Sequence, residues 1–257
     1  MRISEQEIER KVDKAVQNQQ VISFVTYTLS EYGEMMLKVI LREILEKYNR
    51  TDLFDIAYTS AKELIINATK ANLKRVLFKQ MNLNMNNESD YETGMDYFRQ
   101  SLTEDKIRSY RSRFKENSLP VTTTLYYNMN VLNIKVKNNF MLEEIEERRI
   151  RERFSHATSF SSLFDFFMEY GENAEGAGMG ITMVGILLDQ SGIDKHGFTL
   201  YSSPKYHETI AKLEIPLVDY YLPKRKKFDM EVEDTGMPPD ELRKEFHYTY
   251  RDFRNKE

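Results

Sequence analysis

The run Lys62-Glu-Leu-Ile-Ile-Asn-Ala-Thr-Lys70 carries two faces at helical spacing. Glu63, Asn67, Lys70 and Lys74 stand at i, i+4, i+7 and i+11 and share one face. Ala61, Leu64, Ile65 and Ala68 form the neighbouring apolar face, which would seat the helix on a sheet. From about Leu53 to Phe78 neither Gly nor Pro interrupts the pattern, so one long helix is expected. The first face sets a carboxylate, a carboxamide and ammonium groups side by side. Such a row suits activating water, holding Mg²⁺ through an oxygen and steadying phosphate charge. A solvated helix face laced with i,i+4 pairs accounts for the same residues.

Upstream, the first fifty residues read as helical throughout. Ser4 caps a first helix whose Ile8, Val12 and Val16 form a thin apolar stripe. A second helix is expected from about Val21 to Tyr48, with Met35, Met36, Val39, Ile40, Ile44 and Leu45 at helical spacing. Asn49-Arg50-Thr51-Asp52 then breaks the pattern. Residues 1–52 are thus an N-terminal helical region. Met35, Met36 and Val39 fit either the seam of a homodimer or a stripe packed on the rest of the chain.

Downstream, periodicity weakens from Met81 to Leu119, which reads as an insertion outside the main core with a polar helical stretch around Glu104 to Lys115. The period then changes from helical to two. Val121-Thr-Thr-Thr-Leu-Tyr-Tyr and Leu132-Asn-Ile-Lys-Val-Lys flank Asn128-Met-Asn, a hairpin signal. A charged helix, Glu143 to Arg153, and a Phe-rich segment, Phe160 to Phe167, come next. Gly171 to Gly180 holds four of the ten glycines and leads into an apolar helix. Phe198-Thr-Leu-Tyr and Ala211 to Leu217 alternate like two antiparallel strands, and residues 218–257 form a charged tail or appended helix. The order predicts an α+β fold, a two-layer α/β sandwich with a mixed, mainly antiparallel sheet.

Hydrophobic residues are 40% of the chain, charged residues 30%, and the formal charge is −4, so no global field draws it onto nucleic acid. The densest basic run, Lys224-Arg225-Lys226-Lys227, is soon balanced by Asp229, Glu231 and Glu233. The absence of cysteine excludes disulfides and thiolate chemistry. The N-terminus is too polar for a signal peptide, and no stretch approaches the ~20 apolar residues of a membrane helix. A cytoplasmic protein without membrane or nucleic-acid partner is expected.

Gly176-Ala-Gly-Met-Gly-Ile-Thr-Met-Val184 puts glycines at alternate positions at the mouth of an apolar helix. Glycines let backbone N–H groups approach phosphate, and the helix N-terminus adds a favourable dipole. A flexible hinge explains the glycines equally well. No Gly-Lys-Ser/Thr follows, so this is not a P-loop.

Together, Glu63-x-x-x-Asn67-Ala-x-Lys70 and Gly176-x-Gly178-x-Gly180-Ile-x-x-Val184 resemble the N box and the later glycine box of the histidine-kinase-like ATPase superfamily, which joins gyrase, heat-shock chaperone ATPases, sensor histidine kinases and mismatch-repair ATPases. Phe164-Asp-Phe-Phe resembles the Phe-containing lid segment of sensor kinases, and the two late strands resemble the closing strands. The resemblance covers about Leu53 to Leu217, making residues 53–217 an ATPase domain of Bergerat type with the insertion at 81–119. It implies Asn67 as the Mg²⁺ ligand, Lys70 on phosphate, Glu63 as general base, and Gly176, Gly178, Met179 and Gly180 around the triphosphate beneath a lid spanning about Leu142 to Glu175.

The family's Asp-x-Gly adenine motif is altered. Asn138 falls at the aspartate and Phe140 at the glycine. An asparagine oxygen still accepts from an amino group, without the charge that strengthens the bond, and Phe140 would crowd the base. His156, His196, His207 and His247 all lie downstream of the N-terminal helices, so a sensor kinase's phosphoacceptor histidine has no counterpart. The resemblance therefore implies a signalling protein that binds Mg-ATP to phosphorylate or regulate a partner protein. The altered motif implies, alternatively, a nucleotide-free pseudo-kinase scaffold.

Overall fold

A computed structural model describes residues 3–157 and 179–246, the side chains of 153–157, 179 and 181 excepted. Alternation of apolar and polar residues builds five strands: β1 (Ile22–Thr26), β2 (Val121–Tyr127), β3 (Val131–Asn138), β4 (Phe198–Ser203) and β5 (Glu208–Pro216). They form one sheet in the order β1-β2-β3-β5-β4, and every pairing is antiparallel. Among the described residues the expected parallel component is absent, because β2–β3 and β4–β5 pair as hairpins and β1–β2 and β3–β5 join antiparallel as well.

Register explains the two layers. Ile22, Leu125, Ile134, Leu213 and Phe198 lie opposite one another across all five strands and face the helices. The next row, Ser23, Thr124, Lys135, Lys212 and Thr199, is polar throughout and belongs to the other face. There Glu208 pairs with Lys137 at 2.6 Å and Lys135 at 3.8 Å. The α+β, two-layer expectation agrees with this arrangement.

The helices on the inner face are α1 (Glu5–Gln17), α2 (Glu31–Lys47) and α3 (Phe54–Gln80). The expectation that the first fifty residues are all helical fails at β1. Val21-Ile-Ser-Phe-Val-Thr is rich in β-branched and aromatic residues, Ile22 and Phe24 pack on the core, and Ser30 starts α2 by accepting from Gly33 N at 3.3 Å. Val39 lies within this core with Ile8, Val12 and Val16, and the partly buried Met35 and Met36 pack against it, as the packed-stripe alternative describes. Arg50 donates to Leu217 O at 2.7 Å, tying the 49–52 break to the end of β5.

Residues 81–119 hold three helices, α4 (Glu88–Gln100), α5 (Glu104–Ser109) and α6 (Arg111–Glu116). Tyr91, Met95, Phe98 and Phe114 build a second core against Leu73, Val76, Leu77 and Phe78 of the last turns of α3. The weak periodicity of this stretch hides α4, whose apolar side is only four residues deep. After β3 comes α7 (Glu144–Ala157), and α8 (Met179–Gln190) follows the undescribed residues. The chain continues after β5 as α9 (Lys224–Thr235) and α10 (Pro239–Glu245). His196 links α9 to the approach to β4, with Nδ1 2.5 Å from Asp194 and Nε2 3.6 Å from Asp229. Among the described residues no helix is long and apolar enough to cross a membrane.

Candidate functional site

α3 is buried on most of its circumference. Ala57, Ala61, Leu64, Ile65 and Ala68 face the sheet, so the Glu63 side is turned toward the other helices. Gly180, in the first turn of α8, meets this side directly. A Cβ on Gly180 would lie 2.0 Å from Glu63 Oε1 and 2.2 Å from Asn67 Nδ2. The missing side chain is what lets α8 rest on these two polar groups. The two motifs identified separately in the sequence thus meet at Gly180. Gly176 and Gly178 lie outside the described residues, as do the Met179 side chain and the Phe164 segment.

The contact is polar and largely dry. Burial pushes the Glu63 carboxyl up from its ordinary range, while the Lys70 charge and the Asn67 amide pull it partly back. Asn67 Nδ2 lies beside Glu63, buried, and among the described residues it completes no hydrogen bond of good geometry. A raised carboxyl beside an unsatisfied amide and a lysine is the combination expected where chemistry or ligand binding, and not stability, selects the residues. Since the tips of Glu63 and Asn67 fill the space beside Gly180, Gly180→Ala is expected to cost about 1–3 kcal/mol. That cost should largely vanish when Glu63 and Asn67 are both alanine, as a double-mutant cycle by denaturant unfolding would measure. An equal cost in both backgrounds would mean that the glycine is required by some other neighbour.

Lys74 does not continue the row as expected. Its ammonium pairs with Glu146 of α7, which Arg75 also contacts at 2.5 Å. Glu146 is 4% exposed, and despite burial its two cationic partners bring its pKa down to about 2. Arg75 further donates to Met141 O at 2.9 Å and lies 4.5 Å from the centre of the Phe140 ring. Thr209 Oγ1 donates to Phe140 O at 2.6 Å, and Leu142 N donates to Ser202 Oγ at 2.9 Å. The connection from β3 to α7 is thus pinned from α3 and from both late strands. Phe140 is held by an arginine.

Asn138, at the end of β3, turns its amide inward. Nδ2 donates to Ala68 O at 2.9 Å and to Asn72 Oδ1 at 2.7 Å. The structure therefore brings Glu63, Asn67, Lys70, Asn138 and Gly180 to one stretch of α3 and its surroundings. Asn72, Arg75 and Glu146 were not singled out in the sequence. Asn72 had a signal, being a polar residue on the apolar side of a long helix. Glu146 had none, sitting in a helix where most residues are charged.

Among the described residues no three His, Cys, Asp or Glu side chains are grouped to hold a metal ion. No family model matches the chain. An uncharacterized protein of Treponema pallidum (strain Nichols) is 27% identical over 206 residues, which is 80% of this chain and 40% of that protein. The chain therefore spans less than half the length of this relative. No solved structure matches.

Proposed function

We propose that the chain is a signalling protein of the histidine-kinase-like ATPase type, binding Mg-ATP at the α3–α8 junction to phosphorylate or regulate a partner protein. The observation that carries this is the seating of Gly180 on Glu63 and Asn67, which unites the carboxylate–carboxamide row with the mouth of the glycine-led helix. The order helix, hairpin, helix, glycine segment, helix, hairpin on one antiparallel sheet supports it further.

The side chains suit the ligand. Asn67 offers a carboxamide oxygen to a hard cation, and its unpartnered Nδ2 suits a phosphate oxygen. With no carboxylate cage among the described residues, a cation here would draw its remaining ligands from phosphate and water. Bound Mg²⁺ would neutralise phosphate charge. Lys70 would steady the same charge, and Glu63, kept partly protonatable by burial, would take a proton from the attacking group.

Two features favour a nucleotide-free scaffold as the second reading. The amide of Asn138 is committed to α3, and Phe140 replaces a glycine at the turn where the family admits its base. Thermal unfolding with ATP or ADP, with and without Mg²⁺, separates the two. Ligand at ~100 times its dissociation constant should add roughly 2.7 kcal/mol. Asn67→Ala is expected to abolish a Mg-dependent shift while leaving the unliganded transition in place. A shift that survives in that variant would sink the assignment of Asn67, and no shift at millimolar nucleotide would favour the scaffold.

A further inference from the structure

β1 stands at one end of the sheet order, so among the described strands one of its edges is unpaired. Edge strands are ordinarily guarded against further pairing by charged residues or proline. The opposite edge follows that pattern, since Lys195 and His196 lie just before β4 and Pro204 and Lys205 follow it. β1 does not. From Ala15 to Ser30 the chain carries no Asp, Glu, Lys, Arg, His or Pro, although 30% of its residues are charged. The edge is also apolar on both faces. Val21 and Val25 are exposed on the outer side, at 44% and 61%. Ile22 and Phe24 turn to the core, yet both are only partly buried there. These four positions are symmetric about Ser23. In an antiparallel pair of two copies centred on Ser23, Val21 meets Val25 of the second copy and Ile22 meets its Phe24.

We infer that β1 is the surface by which two copies of this chain associate, antiparallel about a twofold axis through Ser23, so that two five-stranded sheets join into one continuous sheet. A second copy is the occupant that the edge fits. At a twofold axis each residue meets itself or its mirror position, and a charge there would face its own like. The uncharged run removes that penalty, and the even spacing of Val21 and Val25 about Ser23 makes the strand complementary to itself. Pairing would cover the two exposed valines and complete the burial of Ile22 and Phe24. A single strand edge buries less than the ~1,200 Å² of a standard interface, so the dimer is a reversible one. The association does not depend on the nucleotide-binding reading, because α3 and its site lie away from this edge on each copy's own sheet.

The test is sedimentation of the full chain at rising concentration, up to about 100 μM, a range that reveals reversible association. The mass is expected to climb from 30.5 kDa toward twice that value. Ser23→Lys and Ser23→Glu each set like charges face to face at the axis and should weaken association about tenfold or more, whereas an equimolar mixture of the two should regain it. Ser23 is exposed, so both variants are expected to fold, which thermal unfolding checks. Should they not fold, Val25→Lys at the more open position decides, and it too must weaken association. A monomeric wild type overturns the proposal and leaves the edge to a strand of another protein. Undiminished association in folded Ser23→Lys and Ser23→Glu shows that the copies meet elsewhere. A mixture no more associated than either variant alone overturns the twofold axis at Ser23.

Discussion

Glu146→Ala is expected to destabilise the protein by about 3–5 kcal/mol, the cost of leaving partly buried cations without their counter-ion. Lys74 and Arg75 are each only 15% exposed at the side chain, so water replaces the lost carboxylate poorly. The same pair sets a pH dependence. The Glu146 carboxyl is depressed from 4.5 to about 2 in the folded state, so its contribution is complete above the unfolded value and drains away as pH falls toward 2. Wild-type stability by urea unfolding should therefore fall between about pH 5 and pH 2, and the slope should flatten in Glu146→Ala. A variant as stable as wild type at pH 7 would show that α7 is held by something else. Beyond stability, the loss should loosen the β3–α7 connection, since Glu146 also accepts from Glu143 N at 3.1 Å.

Gly94→Ala is expected to be destabilising although the position is helical. In an exposed helix this change gains about 1 kcal/mol of propensity. Here a Cβ would lie 2.2 to 2.8 Å from three atoms of the Phe78 ring. Phe78 is 2% exposed and its ring lies 5.8 Å from that of Tyr91, tilted by 50°, so the ring has nowhere to go. Overpacking of this kind costs about 1–3 kcal/mol and outweighs the propensity gain. Thermal unfolding gives the sign directly, and Phe78→Leu in the same chain should recover much of the loss. A stabilised Gly94→Ala would mean that α4 does not lie on Phe78 as described.

Much of the layer architecture was legible from period alone. The hairpin around Asn128, the two late strands and the long α3 follow from runs of period two and 3.6. β1 was lost because Ile22 and Phe24 merge into the apolar pattern of the following helix, and strand propensity yields to context. The expected mixed sheet gave way to antiparallel pairing throughout the described strands, since strand direction depends on partners such as β1 and β2 that packing brings together across about a hundred residues.

At the candidate site, the sequence by itself determined which chemical groups were available and on which side of α3 they stand. Helical spacing fixes that for Glu63, Asn67 and Lys70 wherever the helix packs. Tertiary structure alone decided their partners. Gly180 reaches Glu63 and Asn67 because two helices cross there, Lys74 leaves the row because Glu146 of α7 meets it first, and the Asn138 amide turns inward because Ala68 and Asn72 offer it oxygens. Spacing along one helix is local geometry, whereas the direction of a buried hydrogen bond and the counter-ion of a buried charge are set by whatever the fold brings alongside once water is gone.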